Sequence, residues 1–271
     1  MSLEVGALVT SSVRLVRPLG AGGMGAVWVA DHLTLRTQVV VKFMANALAT
    51  DPASIARFSR EAASASNVKS PHVVQMLDHG ITADGVPFIV MELLEGNDLG
   101  HRLRESPILS LTETNMILAQ ACKALGRAHE RGIVHRDIKP DNIFLCNVGD
   151  RDVFVKLLDF GIAKASDGDG LLQTKTGAFM GTPYYMSPEQ AVGLKGIDHR
   201  TDLWSLGVVV FEALTGKRPF DADNIGALVV AIHSGPIPKP SSFIPGLPPA
   251  IDAWFLHSCA REPGARFPSA R

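Results

Sequence analysis

The sequence predicts an α+β fold in two lobes: a small β-rich N-terminal lobe with one main helix, then a larger, mostly helical C-terminal lobe. Three observations predict it. The first ninety or so residues hold short β-branched runs broken by turn residues, the mark of strands. The character changes after Gly96. Beyond it, long segments repeat apolar residues at the helical period, and two of them end on glycine.

Taken in order, SVRLVRPLG (12–20), GAVWVAD (25–31) and TQVVVKF (37–43) read as strands. DPASIARFSREAASASN (51–67) reads as a helix, capped by Asp51 with Pro52 at its first position. Its stripe is Ile55, Phe58, Ala62 and Ala65. VVQMLDHG (73–80) and VPFIVMEL (86–93) are two more strands around a turn at Asp84-Gly85. A short connection at Leu93–Asn97 leads to a helix over 112–132 with Thr112 as its cap. A second long helix, 200–216, is apolar on most sides and so buried. Helices are expected near 225–233 and 250–260, with the proline-rich 235–249 as a loop between them.

The whole chain excludes several functions. Its 271 residues carry a formal net charge of −1, so no global basic field suits nucleic acid or an anionic membrane. Cys122, Cys146 and Cys259 are far apart, which argues against a disulfide framework or zinc site and for a reducing compartment. No apolar run approaches the roughly 18 residues of a membrane span. The start carries no signal-peptide pattern, and the end, REPGARFPSAR, has no terminating element, so the chain reads as a piece of a longer protein.

Four segments carry chemistry. LGAGGMGAV (19–27) sets Gly20, Gly22 and Gly25 in a G-x-G-x-x-G pattern, followed by Val27. Glycines let backbone amides approach a polyphosphate. A dinucleotide fold would need a helix after the third glycine, and here a strand follows. Lys42, in an apolar strand, is costly unless paired, and Glu61 on the next helix offers the partner. HRDIKPDN (135–142) packs a carboxylate, an ammonium and a carboxamide into one turn. Asp159 follows the apolar strand VFVKLL (153–158) in LLDFG, and with Asn142 supplies oxygen ligands suited to Mg²⁺.

Together these segments resemble the protein kinase catalytic domain, most closely the bacterial serine/threonine kinases of eukaryotic type, from about Val13 to the end of the chain. The resemblance implies the two-lobed kinase fold as one catalytic domain over 1–271. Its N-lobe, an antiparallel sheet with one main helix, would span about 10–93, its hinge about 92–97 and its C-lobe about 98–271, cut short near the last helix. It implies ATP as phosphoryl donor, Mg²⁺ with Mn²⁺ as the alternative, and protein substrates phosphorylated on serine or threonine. Leu19, Gly20, Ala21, Gly22, Gly23, Met24, Gly25 and Val27 would cover the nucleotide. Lys42 would hold the α- and β-phosphates, paired with Glu61. Val40, Met91, Glu92, Leu94 and Phe144 would surround the adenine. Asp137 would orient the substrate hydroxyl, Lys139 would neutralise the moving phosphoryl charge, and Asn142 and Asp159 would bind metal. Thr182 would face the catalytic loop, and with Lys139 it points to serine/threonine rather than tyrosine. Asp202 would brace the catalytic loop, and Glu189 would pair with Arg266.

Regulation follows from the same likeness: Thr174 and Thr176 lie between DFG and SPE, where Arg136 could receive a phosphate added in trans within a transient homodimer. Val40, Phe144, the longer CNVGDRDVF turn and SPE for APE depart from the common pattern without removing a catalytic group. The expected location is cytoplasmic, with no nucleic acid and no membrane contact from this segment, though the full-length protein could be anchored. Two alternatives compete. A pseudokinase that binds nucleotide and signals by shape is disfavoured because Lys42, Glu61, Asp137, Asn142 and Asp159 are all present. A small-molecule kinase is disfavoured by GTPYYMSPE (181–189), which shapes a polypeptide groove.

Overall fold

The computed structural model describes residues 3–22, 25–45, 49, 51–148, 152–160 and 183–271. Expectations placed on Gly23, Met24, Gly161, Thr174, Thr176 and Thr182 lie outside the described residues, as does the side chain of Glu61. The chain divides into two compact units, Met1–Lys69 with Val73–Glu95, and Ser70–His72 with Gly96–Arg271.

The first unit is built on a six-stranded antiparallel sheet. Its strands are β1 (Leu8–Thr10), β2 (Val13–Gly22), β3 (Gly25–His32), β4 (Thr37–Phe43), β5 (Met76–Ile81) and β6 (Pro87–Glu92), in the order β1-β2-β3-β4-β6-β5. The period-2 alternation sorts side chains to two faces. One face gathers Val13, Leu15, Trp28, Ala30, Val39, Val41, Phe43, Phe88 and Val90 into a buried cluster. Helix α1 (Pro52–Ser66) packs against β5 and β6 and buries Phe58, Ala62 and Ala65 of the expected stripe. Its start is capped as the sequence indicates, with the Asp51 carboxylate accepting the Ser54 N–H at 2.9 Å. The turn before β6 places Gly85 at φ 80°.

The second unit opens with β7 (Gly96–Asp98), α2 (Leu99–Glu105) and α3 (Leu111–His129). A hairpin of β8 (Ile143–Val148) and β9 (Asp152–Leu157) extends β7 into a three-stranded sheet ordered β7-β8-β9. Helices α4 (Pro188–Ala191), α5 (Arg200–Thr215), α6 (Ile225–Ser234) and α7 (Pro249–Ser258) complete it. Residues 70–72 belong here because His72 bonds β9 twice: its ring Nδ1 to the Val155 carbonyl and its own carbonyl to the Leu157 N–H, each at 2.9 Å.

Helix α5 is the axis of this unit. It is buried on nearly every side, and its Trp204 ring stacks on Phe220 at 5.4 Å while Phe211 meets Phe255 at 4.8 Å. Each such fully buried aromatic contributes on the order of 2–3 kcal/mol. The helix stops at Gly216, left-handed at φ 68°, whose N–H returns to the Glu212 carbonyl. One expectation is corrected. Helix α3 is capped by Ser110, not Thr112: the Ser110 hydroxyl accepts the Glu113 N–H at 3.1 Å, so the helix begins at Leu111. The preference is physical, because Ser110 has Glu113 three residues on, the spacing of a capping box.

Candidate active site

In the first unit the strand register aligns the predicted nucleotide residues. Gly20 lies opposite Val27, Val27 opposite Lys42, and Val40 opposite Met91. Lys42 and Val40 are two apart on β4, so Val27, Lys42, Val40 and Met91 share the face of the sheet away from the aromatic cluster. Glu92 ends β6 and pairs with Gln75 twice: its N–H donates to the Gln75 carbonyl at 3.0 Å and its carboxylate accepts the Gln75 N–H at 2.7 Å. Leu94 follows just beyond, and Leu19 and Ala21 lie on β2.

The glycines of the β2–β3 hairpin are not equivalent. Gly25 sits at φ 132°, and a Cβ there would lie 1.8 Å from the Phe43 carbonyl oxygen. Its missing side chain is therefore demanded by the neighbouring strand. Around Gly20 there is open space, with nothing within 4 Å of a Cβ.

In the second unit the loop from the end of α3 to β8 carries the polar turn. Asp137 is held from both sides of the turn. Lys139 Nζ lies 3.2 Å from its Oδ2. The Asn142 amide nitrogen donates to the same Oδ2 at 3.0 Å and to the Asp137 carbonyl at 2.7 Å. Because that amide nitrogen is committed to Asp137, the other end of the Asn142 carboxamide is an oxygen, the donor type a hard divalent cation prefers. The Asn142 carbonyl also accepts the Leu158 N–H at 2.9 Å, which sets Asp159 beside the loop. Carboxylate and carboxamide oxygens are the donor types that a hard divalent cation takes. Phe144, on β8 opposite Lys156, lies two residues beyond Asn142.

The backbone here is strained and firmly held. Among the described residues, three non-glycines have positive φ: Arg36, Arg136 at 62° and Asp159 at 52°. Two of the three flank the predicted chemistry, where strain of about 1–3 kcal/mol persists only when surroundings over-determine it. The restraints on Arg136 are explicit. Its N–H donates to Asp202 Oδ1 at 2.8 Å, and its carbonyl accepts Gln190 Nε2 at 2.8 Å. Asp202, fully buried on α5, also accepts the His135 N–H and His129 Nε2 through Oδ2, both at 2.8 Å. His135 then bridges the two loops. Its Nε2–H donates to the Leu158 carbonyl at 2.7 Å, its Nδ1 accepts the Asp137 N–H at 3.3 Å, and its ring packs on Phe160 at 4.6 Å. Those two bonds require the neutral Nε2–H tautomer.

The expected brace by Asp202 and the Glu189–Arg266 pair are both present. The latter is a bidentate fork with both distances 2.7 Å and Arg266 completely buried. The sequence reading missed His135 as a bridge, His129 as a partner of Asp202, and Gln190 as a backbone anchor. The spacing of His135 two residues before Asp137 was the one available signal.

The sequence matches the protein kinase domain family over residues 13–236. It is 41% identical over 262 residues to the serine/threonine-protein kinase Pkn1 of Myxococcus xanthus, covering 95% of this chain and 36% of that one. It is 40% identical to the serine/threonine-protein kinase PknH of Mycobacterium tuberculosis strain H37Rv, over 94% of this chain and 40% of the relative. It is 39% identical to PknA of the same species, over 99% of this chain and 61% of that one. The chain therefore spans between about a third and three fifths of these relatives. Among solved structures, the kinase domain of M. tuberculosis PknI superposes with a TM-score of 0.78 at 28% identity, covering 100% of this chain and 95% of that one. Since the family match runs through both units and relatives at about 40% identity extend it over nearly the whole length, the chain belongs to the protein kinase domain family as a eukaryotic-like catalytic domain.

Proposed function

We propose that this chain is the catalytic domain of a serine/threonine protein kinase, transferring the γ-phosphoryl group of ATP to serine and threonine hydroxyls of protein substrates. One observation carries the reading: Asp137 Oδ2 is shared by Lys139 at 3.2 Å and Asn142 at 3.0 Å, and Asn142 is tied to the segment bearing Asp159. Asp137 orients the acceptor hydroxyl and takes its proton. Lys139, already beside that carboxylate, balances negative charge as the phosphoryl group moves. Asn142 and Asp159 would hold a divalent metal, Mg²⁺ or alternatively Mn²⁺, which when bound supplies positive charge to the phosphate oxygens. Lys42 grips phosphate oxygens as a point charge, paired with Glu61, and Val40 and Met91 give the adenine an apolar surface. Leu19, Ala21 and the hairpin glycines, with Val27, Glu92, Leu94 and Phe144, complete the nucleotide contacts.

Regulation belongs to the same reading. Thr174 and Thr176 accept phosphate in trans within a transient homodimer, and Arg136 receives it. Supporting this, the Arg136 Nε–H is buried with no hydrogen-bond partner among the described residues. Thr182 selects serine and threonine acceptors. No helix among the described residues is long and apolar enough to cross a membrane. We place the domain in the cytoplasm, with protein substrates and ATP as its partners.

The test is incubation with γ-labelled ATP, Mg²⁺ and a serine- and threonine-bearing protein, wild type beside Asp137→Asn and Asp159→Asn. Label on phosphoserine and phosphothreonine in the wild type alone is expected, with at least a 100-fold loss in the variants. Nucleotide binding without label in any sample would overturn the enzyme reading in favour of a pseudokinase.

A further inference from the structure

Strand β9 carries the chain into Asp159, and it is the edge strand of its sheet. One side pairs with β8; among the described residues no strand lies beyond the other. An open edge can slip in register unless something closes it. Here successive backbone groups on that edge are closed by side chains and by a neighbouring segment. The Val153 carbonyl accepts from Gln120 Nε2 at 2.7 Å, and the Val155 N–H donates to Gln120 Oε1 at 3.0 Å. The Val155 carbonyl and the Leu157 N–H then meet the ring Nδ1 and the carbonyl of His72, each at 2.9 Å.

Gln120 lies on α3 three residues after the buried Ile117 and four before the buried Ala124, so it sits at the rim of the packed face. A carboxamide presents one donor and one acceptor, the same pair that a peptide unit presents. Gln120 therefore stands where the next strand would, and it meets β9 through both groups. Val155 is fully buried, so an apolar replacement leaves its N–H unsatisfied in the interior. The end of the strand is fixed as well. Leu158 donates its N–H to the Asn142 carbonyl and accepts His135 Nε2. Asp159 follows at φ 52°, a conformation kept only where the surroundings enforce it.

We infer that Gln120 is a positioning residue for Asp159: its carboxamide completes the outer edge of β9 and thereby aims the metal-binding carboxylate. This rests on the serine/threonine kinase reading, in which Asp159 holds the divalent metal of the nucleotide. Gln190 and His129 steady the loop that carries Asp137. Gln120 steadies Asp159 instead, and so acts on the metal-dependent part of nucleotide binding.

The experiment is calorimetric titration of ATP with and without Mg²⁺ into wild type, Gln120→Met, Asp159→Asn and Phe255→Leu. The last loosens the packing of α7 on α5 and serves as the control for lost stability. Wild type is expected to bind ATP more tightly with Mg²⁺. Gln120→Met is expected to raise the Kd about tenfold with Mg²⁺ and to leave it unchanged without. Tenfold is the lower end of the roughly 10–100-fold that a group orienting a metal ligand carries. Asp159→Asn should lose the Mg²⁺ effect, and Phe255→Leu should keep it. Amide exchange, read without ligand, should quicken about tenfold at Val155 in Gln120→Met, the worth of one hydrogen bond. Equal weakening with and without Mg²⁺, or a lowered Tm with both Kd values unchanged, overturns the inference. So does a Phe255→Leu protein with the same Mg²⁺-specific loss. If Gln120→Met fails to fold, Gln120→Asn, one methylene too short to meet both groups, is judged by the same outcomes. A wild type that labels serine peptides yet gains nothing from Mg²⁺ also overturns it, whereas one that labels no peptide refutes the kinase reading.

Discussion

Replacing Asp202 by asparagine tests whether the catalytic loop is set from beneath. The native carboxylate accepts three hydrogen bonds, two at Oδ2 from His129 and His135 and one at Oδ1 from Arg136, each 2.8 Å and in a fully buried place. An asparagine of the same shape offers one oxygen. Placed at the Oδ2 position, that oxygen keeps two bonds and turns its NH₂ toward the Arg136 N–H, donor against donor. Flipped, it loses two. The first orientation costs less: one bond to a charged acceptor, about 1.5–3 kcal/mol, with a buried N–H left unsatisfied. Arg136, at φ 62°, gains about 1–2 kcal/mol by leaving the left-handed region once that bond is gone. The adjoining Asp137 then shifts.

Two numbers follow. Stability falls by about 2–3 kcal/mol, a Tm lower by roughly 4–12 °C at about 2–4 °C per kcal/mol for a chain of this size class. A displacement of Asp137 by about 1 Å lowers kcat about 100-fold. The assays are thermal unfolding and steady-state phosphorylation, with Gln190→Ala as a second arm that frees only the Arg136 carbonyl. An Asp202→Asn enzyme that melts early but keeps its kcat would refute the link between this brace and catalysis. Unchanged Tm and kcat would refute the energetics as well.

Other predictions follow from single contacts. Gly25→Ala forces a Cβ to within 1.8 Å of the Phe43 carbonyl at φ 132° and should cost about 3 kcal/mol or more in urea unfolding. Gly20→Ala, with nothing within 4 Å, should stay within about 0.5 kcal/mol; equal losses would contradict the steric distinction. Arg266→Met strands the Glu189 carboxylate in the interior and should cost about 3–5 kcal/mol, while Glu189→Leu with Arg266→Met recovers part of that loss in the same melt. For Glu212, burial raises the carboxyl above its ordinary value of 4.5, so its contribution to stability is complete below that pH and is lost as pH rises through the folded value. Glu212→Gln, which cannot titrate, should therefore gain on the wild type between pH 4 and pH 7, and a pH-independent difference in Tm would count against it.

Much of this was legible in the sequence because the signals are local. Strand alternation, the α1 cap at Asp51 and the all-round apolar α5 are properties of consecutive residues. So is the clustering of Asp137, Lys139 and Asn142. What escaped is non-local or too short. β7 and α2 have three and seven residues, too few repeats of either period to establish a pattern. Ser110 and Thr112 are both good caps, and the choice depends on which hydroxyl the chain brings to the Glu113 N–H. His129 at a helix end reads as a surface basic residue, and its meeting with Asp202 depends on α3 packing against α5. Gln190 reads as an ordinary helix residue because its value lies in reaching a carbonyl 54 positions earlier.

Those missed residues share one task. None needs to touch a reactant: His135 and Gln190 fix backbone directly, and His129 does so through the Asp202 carboxylate. Arg136 is held through its N–H and its carbonyl, and His135 through its N–H and both ring nitrogens. A carboxylate such as Asp137 has two side-chain torsions to control, but controlling them is useless if the peptide on either side moves. Anchoring the preceding residue in the left-handed region removes that freedom at a cost of about 1–2 kcal/mol, which the hydrogen bonds from α4 and α5 exceed. It follows that side-chain changes at Gln190 or His129 should act through the rate more than through nucleotide binding, because they reach Asp137 only by way of the main chain.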